Sequence, residues 1–198
     1  MIRAVQLHEA EPFVRVRDSS RAAVLHALDL GAKGIIVPNI QSVQEAASLV
    51  EFAKFHPLGS RGFAFSRSAF FGFAPNLGNI QEYFNKTNES TLLLPQCETT
   101  GALEHIEEIV AMDGIDGIFV GPYDLSVALA MPAQFDTPAF SRALARVLDA
   151  CKKYGKLAFL YTNSMAEARR SFEQGYQGVA IGVDTAFLVS GIKRMLSE

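Results

Sequence analysis

Two carboxylates carry most of the chemistry open to this sequence. Glu98 closes the apolar run Thr91-Leu92-Leu93-Leu94-Pro95-Gln96-Cys97-Glu98, and Asp124 follows the run Gly117-Ile118-Phe119-Val120-Gly121. Side chains alternate faces along a strand, so Gln96 and Glu98 share one face and Cys97 takes the other. A carboxylate pair with no clustered His or Cys suits a hard divalent cation, Mg²⁺ or Mn²⁺, which takes one or two protein carboxylates and keeps water or substrate oxygens elsewhere. Zn²⁺ wants nitrogen or sulfur ligands at spacings that do not occur here. Plainer uses stay open: Glu98 can pair with a structural Arg, and Asp124 can cap a helix that starts before Leu125. Gly121-Pro122-Tyr123-Asp124 leads into a turn or helix start, where free backbone N–H groups can hold a substrate carboxylate. Arg15, in Phe13-Val14-Arg15-Val16, offers either a fixed cation for a developing oxyanion or a salt bridge at the mouth of the sheet. Cation, oxyanion partner and carboxylate nest together describe a site that forms and stabilises an enolate. Cys97 is no nucleophile, having no His partner and the wrong face.

These residues matter only if the fold gathers them. Short apolar, β-branched runs alternate with amphipathic stretches. Strands are expected at 13–16, 34–38, 91–98, 117–121, 157–161 and 178–182. Helices are expected from the Asp18-Ser19-Ser20 cap to about Gly31, from Ser42 to about Phe55, from strand three to about Met112, over 138–154, 164–174 and 185–196. Alternating βα units with continuous apolar strands imply a parallel sheet with right-handed crossovers. Ligands of such sheets bind at the carboxyl ends of the strands. The interval 56–90 breaks the rhythm; its Gly, Phe and Arg content reads as an ordered excursion with a short helix near 79–85, its aromatic residues packing in a core or against a neighbouring subunit, with Arg61 and Arg67 as anchors.

The composition sets outer limits. The chain has 198 residues, 49% hydrophobic and 20% charged, which is globular rather than disordered. With 18 basic and 21 acidic residues the formal charge is -3, so no basic excess draws it to nucleic acid or anionic lipid. No apolar run is long enough to span a membrane, the first residues lack signal-peptide character, and the two cysteines fit a reducing, cytoplasmic setting. One domain over 1–198 is expected, although a full eight-unit barrel rarely has fewer than about 200 residues.

Several blocks, in order along the whole chain, resemble the HpcH/HpaI aldolase family. They are Val14-Arg15-Val16, Leu28-Asp29-Leu30-Gly31-Ala32-Lys33-Gly34-Ile35-Ile36-Val37-Pro38, Pro57-Leu58-Gly59-Ser60-Arg61-Gly62, Gln96-Cys97-Glu98-Thr99, Asp113-Gly114-Ile115-Asp116-Gly117-Ile118-Phe119-Val120-Gly121-Pro122-Tyr123-Asp124-Leu125-Ser126 and Gly182-Val183-Asp184-Thr185. The resemblance implies a TIM (β/α)8 barrel of the phosphoenolpyruvate/pyruvate type, with six of its eight units in this chain. It implies a metal-dependent, reversible aldol cleavage of a 4-hydroxy-2-oxo acid to pyruvate and an aldehyde, in a homo-oligomer (trimer or hexamer). By position, Glu98 and Asp124 would hold Mg²⁺ or Mn²⁺, with Gln96 beside it. Arg15 would stabilise the enolate, and the backbone of Pro122, Tyr123 and Asp124 would hold the pyruvate carboxylate. The family has a small residue where Tyr123 stands, which narrows the pocket. Its members also begin with two further βα units, the second carrying an Asp…Glu-His-Gly motif whose His is the acid/base. That His has no counterpart here: His8 and His26 fall on expected helices, and His56 and His105 lie away from strand ends. A truncated member with little turnover is expected. Alternatives are a citrate lyase β or acyl-CoA lyase-type enzyme on the same barrel, and an inactive barrel fragment.

Overall fold

The computed structural model describes residues 1–75 and 77–197. The elements follow the expected alternation: α1 (Ile2–Gln6), β1 (Phe13–Arg15), α2 (Arg21–Asp29), β2 (Gly34–Val37), α3 (Val43–Ala53), α4 (Ile80–Ser90), β3 (Leu92–Cys97), α5 (Thr100–Glu104), α6 (Ile106–Val110), β4 (Gly117–Val120), α7 (Pro122–Ala128), α8 (Pro138–Lys153), β5 (Leu157–Thr162), α9 (Met165–Gln174), β6 (Gly178–Ile181) and α10 (Asp184–Leu196). All six strands are parallel and lie in chain order.

The sheet is curled. Phe13 on β1 and Phe159 on β5 approach to 5.9 Å between ring centroids. Four inter-strand steps in a flat sheet would hold them about 19 Å apart. Both rings therefore point into the concave side of a half-barrel. Their neighbours on the adjacent strands make room: a Cβ on Gly34 would lie 2.4 Å from the Phe13 ring, and one on Gly178 would lie 2.1 Å from Phe159. The alternate residues Ile35, Val37, Leu93, Cys97, Ile118, Val120, Ala158 and Leu160 point outward and join the core beneath the helices. Burial pushes the Cys97 thiol up to about 12, so it is an inert core residue.

Serine caps open helices at Ser20 and Ser42 as expected, and Thr99, Thr137 and Ser164 add three more. The hydroxyls of Ser20, Ser42, Thr99, Thr137 and Ser164 each accept a backbone N–H three residues on. Three expectations change. The helix after β3 is broken at His105 into α5 and α6, where the backbone leaves helical geometry (φ -105°, ψ 20°). The short helix near 79–85 extends to Ser90. His8 lies in a turn after α1 rather than in a helix.

Proline in a central strand removes a ladder donor, and the chain compensates with a side chain. β2 pairs with β3 over Leu92 to Pro95, whereas β3 pairs with β4 only at Gln96 and Cys97. Below Pro95, Asp116 stands in for the missing ladder. Its N–H donates to the Leu93 carbonyl at 3.1 Å, and its Oδ2 accepts the Leu93 N–H at 2.7 Å.

The excursion at 56–90 packs at the amino ends of the strands. Phe55, Ala69, Ala74 and Tyr83 form a satellite core with Phe63, Leu77 and Phe84. Arg61 lies over the Phe55 ring at 4.5 Å and bonds Asp29 at 3.0 Å, anchoring the loop as expected. The expected aromatic packing covers only part of the cluster, because Phe65, Phe70, Phe71 and Phe73 are exposed. No helix among the described residues is long and apolar enough to cross a membrane.

Candidate active site

Each expected site residue lies at the carboxyl end of a strand. Arg15 ends β1, Gln96 lies one residue before the end of β3 with Glu98 just past it, and Gly121 to Asp124 lead from β4 into α7. The strand register aligns them: Gln96 pairs with Phe119, which places Glu98 level with Gly121 two residues on. Arg15 Nε donates to Gln96 Oε1 at 3.0 Å, and its Nη2 stands 3.9 Å from Glu98 Oε1. Arg15, Gln96 and Glu98 therefore form one array across two strands that are not neighbours in the sheet.

Glu98 is the centre of that array. It is 3% exposed. Its Oε1 accepts the Asn39 N–H at 2.8 Å, whereas its buried Oε2 has no hydrogen-bond partner. An orphaned carboxylate oxygen in a buried position is costly. Burial pushes the Glu98 carboxyl above its ordinary range, and the Asp124 carboxylate beside it pushes the same way. The Asn39 N–H and Arg15 oppose that rise. The pairing with an Arg is therefore present, but it is long and engages only Oε1, which leaves Oε2 for a further partner. Asp124 is not a helix cap. Gly121 is the N-cap of α7, Pro122 opens the helix, and Asp124 is an exposed first-turn residue. Gly121 has no side chain to cap the helix, which leaves first-turn N–H groups without a side-chain acceptor.

Two close approaches shape the site. A Cβ on Gly121 would lie 2.5 Å from Gln96 Nε2 and 2.8 Å from Glu98 Oε2. Asn39, at φ +57°, holds the left-handed turn that aims its N–H at Glu98. Asn tolerates that conformation better than most residues. The sequence places Asn39 at a strand end after Pro38, and that pairing of breaker and turn former was the available signal. Tyr123 departs from the group: its ring packs edge-on against Phe135 at 5.0 Å, and its hydroxyl accepts from Asn163 Nδ2 at 2.9 Å.

Two carboxylates, one with an unused buried oxygen, fit a hard divalent cation held by oxygen donors. Among the described residues no group of three or more His, Cys, Asp or Glu converges anywhere. A cavity of about 770 Å³ lies at the opposite end of the sheet, lined by Lys33, Arg61, Arg67 and Thr91 among others. Parallel α/β sheets do their chemistry at the carboxyl ends, so the strand-end array outweighs that cavity.

The profile of the HpcH/HpaI aldolase/citrate lyase family matches residues 1–190. A protein of Salmonella gallinarum named 2-keto-3-deoxy-L-rhamnonate aldolase is 31% identical over 196 residues, covering 99% of this chain and 72% of its own length. The crystal structure of an HpcH/HpaI aldolase from Desulfitobacterium hafniense superposes with a TM-score of 0.88 at 26% identity, over 99% of this chain and 74% of that one. A family protein from Burkholderia cenocepacia gives 0.86 at 31% identity, over 98% and 76%. With the family profile over residues 1–190 and these relatives covering nearly the whole chain, the chain belongs to the HpcH/HpaI aldolase/citrate lyase family and is an enzyme of the aldolase/lyase kind.

Proposed function

We propose that the chain catalyses reversible aldol cleavage of a 4-hydroxy-2-oxo acid to pyruvate and an aldehyde, with Mg²⁺ or Mn²⁺ as cofactor. The observation that carries this reading is the buried Glu98 Oε2, unpartnered beside Asp124 and on the same face as Arg15 and Gln96. Glu98 and Asp124 would hold the cation, which supplies Lewis-acid polarisation of the 2-oxo acid when bound. The backbone at Pro122, Tyr123 and Asp124 would receive the carboxylate of the substrate. When the C3–C4 bond breaks, its electron pair becomes the enolate of pyruvate, and Arg15 stabilises the charge on the C2 oxygen. Gln96 fixes the guanidinium through its 3.0 Å bond. The C4 hydroxyl must lose its proton as the aldehyde forms. None of the four histidines lies at the carboxyl end of a strand, so no His of this chain is assigned that step. Relatives named 2-keto-3-deoxy-L-rhamnonate aldolases support a substrate of the 2-keto-3-deoxy acid class.

The six strands are read as six of the eight of a phosphoenolpyruvate/pyruvate-type barrel, in one domain over 1–198. Supporting this, β1 and β6 are the outer strands of the curled sheet, and the inward-facing Phe13 on β1 is 41% exposed. A homo-oligomer, trimer or hexamer, is supported by α10: none of its described residues is buried, and Phe187, Leu188, Ile192 and Met195 all stand exposed. A 13-residue helix without packing is marginal in water. The reduced, buried cysteines accord with a cytoplasmic setting.

The test is exchange of pyruvate methyl protons with D2O in the presence of Mn²⁺, set against cleavage of an acyl-CoA thioester. Slow exchange is expected, since no His is assigned the proton step, and Arg15→Ala should slow it about a further 100-fold, the usual cost of removing an oxyanion partner. Thioester cleavage without exchange would favour the citrate lyase-type reading instead. Gly121→Ala offers a second check. Its methyl displaces Gln96 Nε2 and Glu98 Oε2, and supporting-residue changes typically weaken metal binding about 10–100-fold. Unchanged Mn²⁺ affinity by calorimetry would speak against a cation at this place.

A further inference from the structure

A second array of polar side chains stands at the mouth of the half-barrel, at the start of α7 and the end of β5, and the aldol steps above leave these side chains unused. Tyr161 follows the inward-facing Phe159 by two residues, so its side chain enters the concave side. The register Phe119 to Phe159 puts Tyr161 level with Gly121, and hence with Glu98. The Tyr161 hydroxyl donates to Asn163 Oδ1 at 3.1 Å, and Asn163 Nδ2 donates to the Tyr123 hydroxyl at 2.9 Å.

Asn163 is itself fixed. Its N–H donates to Glu167 Oε2 at 2.9 Å, and Glu167 is the partner of the Ser164 cap that starts α9. The Phe135 ring steadies Tyr123 from the side.

Donor and acceptor arithmetic gives this array a direction. Tyr161 spends its proton on Asn163, and the Asn163 amide spends a proton on the Tyr123 oxygen. The Tyr123 hydroxyl then has its acceptor side occupied and its own O–H free. Among the hydrogen bonds of the described residues, nothing accepts that proton. The free donor belongs to the residue next to Asp124, and it is 47% exposed at the rim.

We propose that Tyr123 is a specificity-determining residue for the aldehyde half of the substrate: its hydroxyl, oriented by Asn163 and Tyr161, donates to an oxygen carried on the carbon next to the aldehyde carbonyl. Asn163 and Tyr161 are positioning residues, acting only through Tyr123. The proposal rests on the aldol reading, because that reaction supplies an aldehyde half. A donor held in this way favours an acceptor with a hydroxyl over one with a methyl in the same place, since a bound methyl displaces the water at the Tyr123 hydroxyl and takes no proton from it.

The experiment is aldol addition of pyruvate, with Mn²⁺, to glycolaldehyde or to propionaldehyde, which are matched in size and differ by hydroxyl for methyl. The measured quantity is the ratio of kcat/KM values, in which any general damage to metal or pyruvate binding cancels. Tyr123→Phe is expected to lower the glycolaldehyde-to-propionaldehyde ratio about 10-fold. Asn163→Leu, which keeps the Tyr123 hydroxyl but frees it, is expected to lower the ratio by about 3-fold or more. An unchanged ratio in Tyr123→Phe overturns the proposal. An unchanged ratio in Asn163→Leu alone overturns the positioning role. Absence of both aldol product and pyruvate proton exchange in the unsubstituted protein would overturn the aldol reading, and this inference with it. Proton exchange with an insensitive ratio would sink only the inference.

Discussion

Glu98→Gln is expected to do two opposite things: abolish Mn²⁺ binding and raise the melting temperature of the metal-free protein. Glutamine keeps an acceptor for the Asn39 N–H, which holds Glu98 at 2.8 Å. It removes the charge that burial disfavours and that Asp124 repels. The sign follows from linkage. The folded-state pKa of Glu98 is raised, mainly by burial. Its contribution to stability is therefore complete below the ordinary carboxylate range and is lost as pH rises through the raised value. At neutral pH the metal-free protein bears that cost, and Glu98→Gln lifts it. A gain of about 1 kcal/mol in a domain of this size corresponds to a rise of about 2–4 °C. Cation affinity should run the other way in the unsubstituted protein, increasing with pH over the same window as the carboxylate ionises. Thermal melts with chelator and with excess Mn²⁺, from pH 4 to 8, check both halves. A variant that still binds Mn²⁺ and melts lower would show that Glu98 is a structural carboxylate.

The second large effect lies away from the chemistry. Lys54 is 1% exposed, and its Nζ donates to the carbonyls of Asn88 and Thr91 and to Asp116 Oδ2, at 2.8, 2.7 and 2.7 Å. Asn88 completes the junction, exchanging side-chain hydrogen bonds with both backbone groups of Phe55. One ammonium thus ties the end of α3 to the end of α4 and to the start of β4. Burial pushes the Lys54 pKa down, and Asp116 is the group that opposes this. Lys54→Ala deletes all three bonds, leaves a cavity and strands the Asp116 carboxylate, which also replaces the ladder lost at Pro95. Breaking a buried pair by removing one partner typically costs about 3–5 kcal/mol, and that loss is expected in urea denaturation. Lys54→Met should cost less, and less again when Asp116→Asn removes the unpaired charge. Equal costs for Lys54→Met with and without Asp116→Asn would show that the ion pair is not the source.

The elements were largely legible because their signals are local. Short continuous apolar runs marked all six strands, and a Ser before an amphipathic stretch marked the helix starts at Ser20, Ser42 and Ser164. The broken helix at His105 was not legible. Its apolar face continues through Ile106 and Ile109 into the same core, so the periodicity gives no sign of the kink. The N-cap role open to Asp124 failed for a similarly local reason: Pro122 suits the first helical position and moves the helix start back to Gly121.

By itself, then, the amino-acid sequence determined the βα alternation, the outward face of Cys97 and the presence of Glu98 and Asp124 at strand ends. Those depend only on alternation within a strand and on where an apolar run stops. Tertiary structure alone decided that Arg15 reaches Gln96 across 81 residues and that the Asn39 N–H reaches Glu98 across 59. It alone decided that Lys54 meets Asp116 across 62 residues and that Tyr123, Asn163 and Tyr161 form a directed chain. A polar side chain finds its partner through the curl and register of the sheet. Neither is written in its sequence neighbours, because both arise from packing between elements distant along the chain.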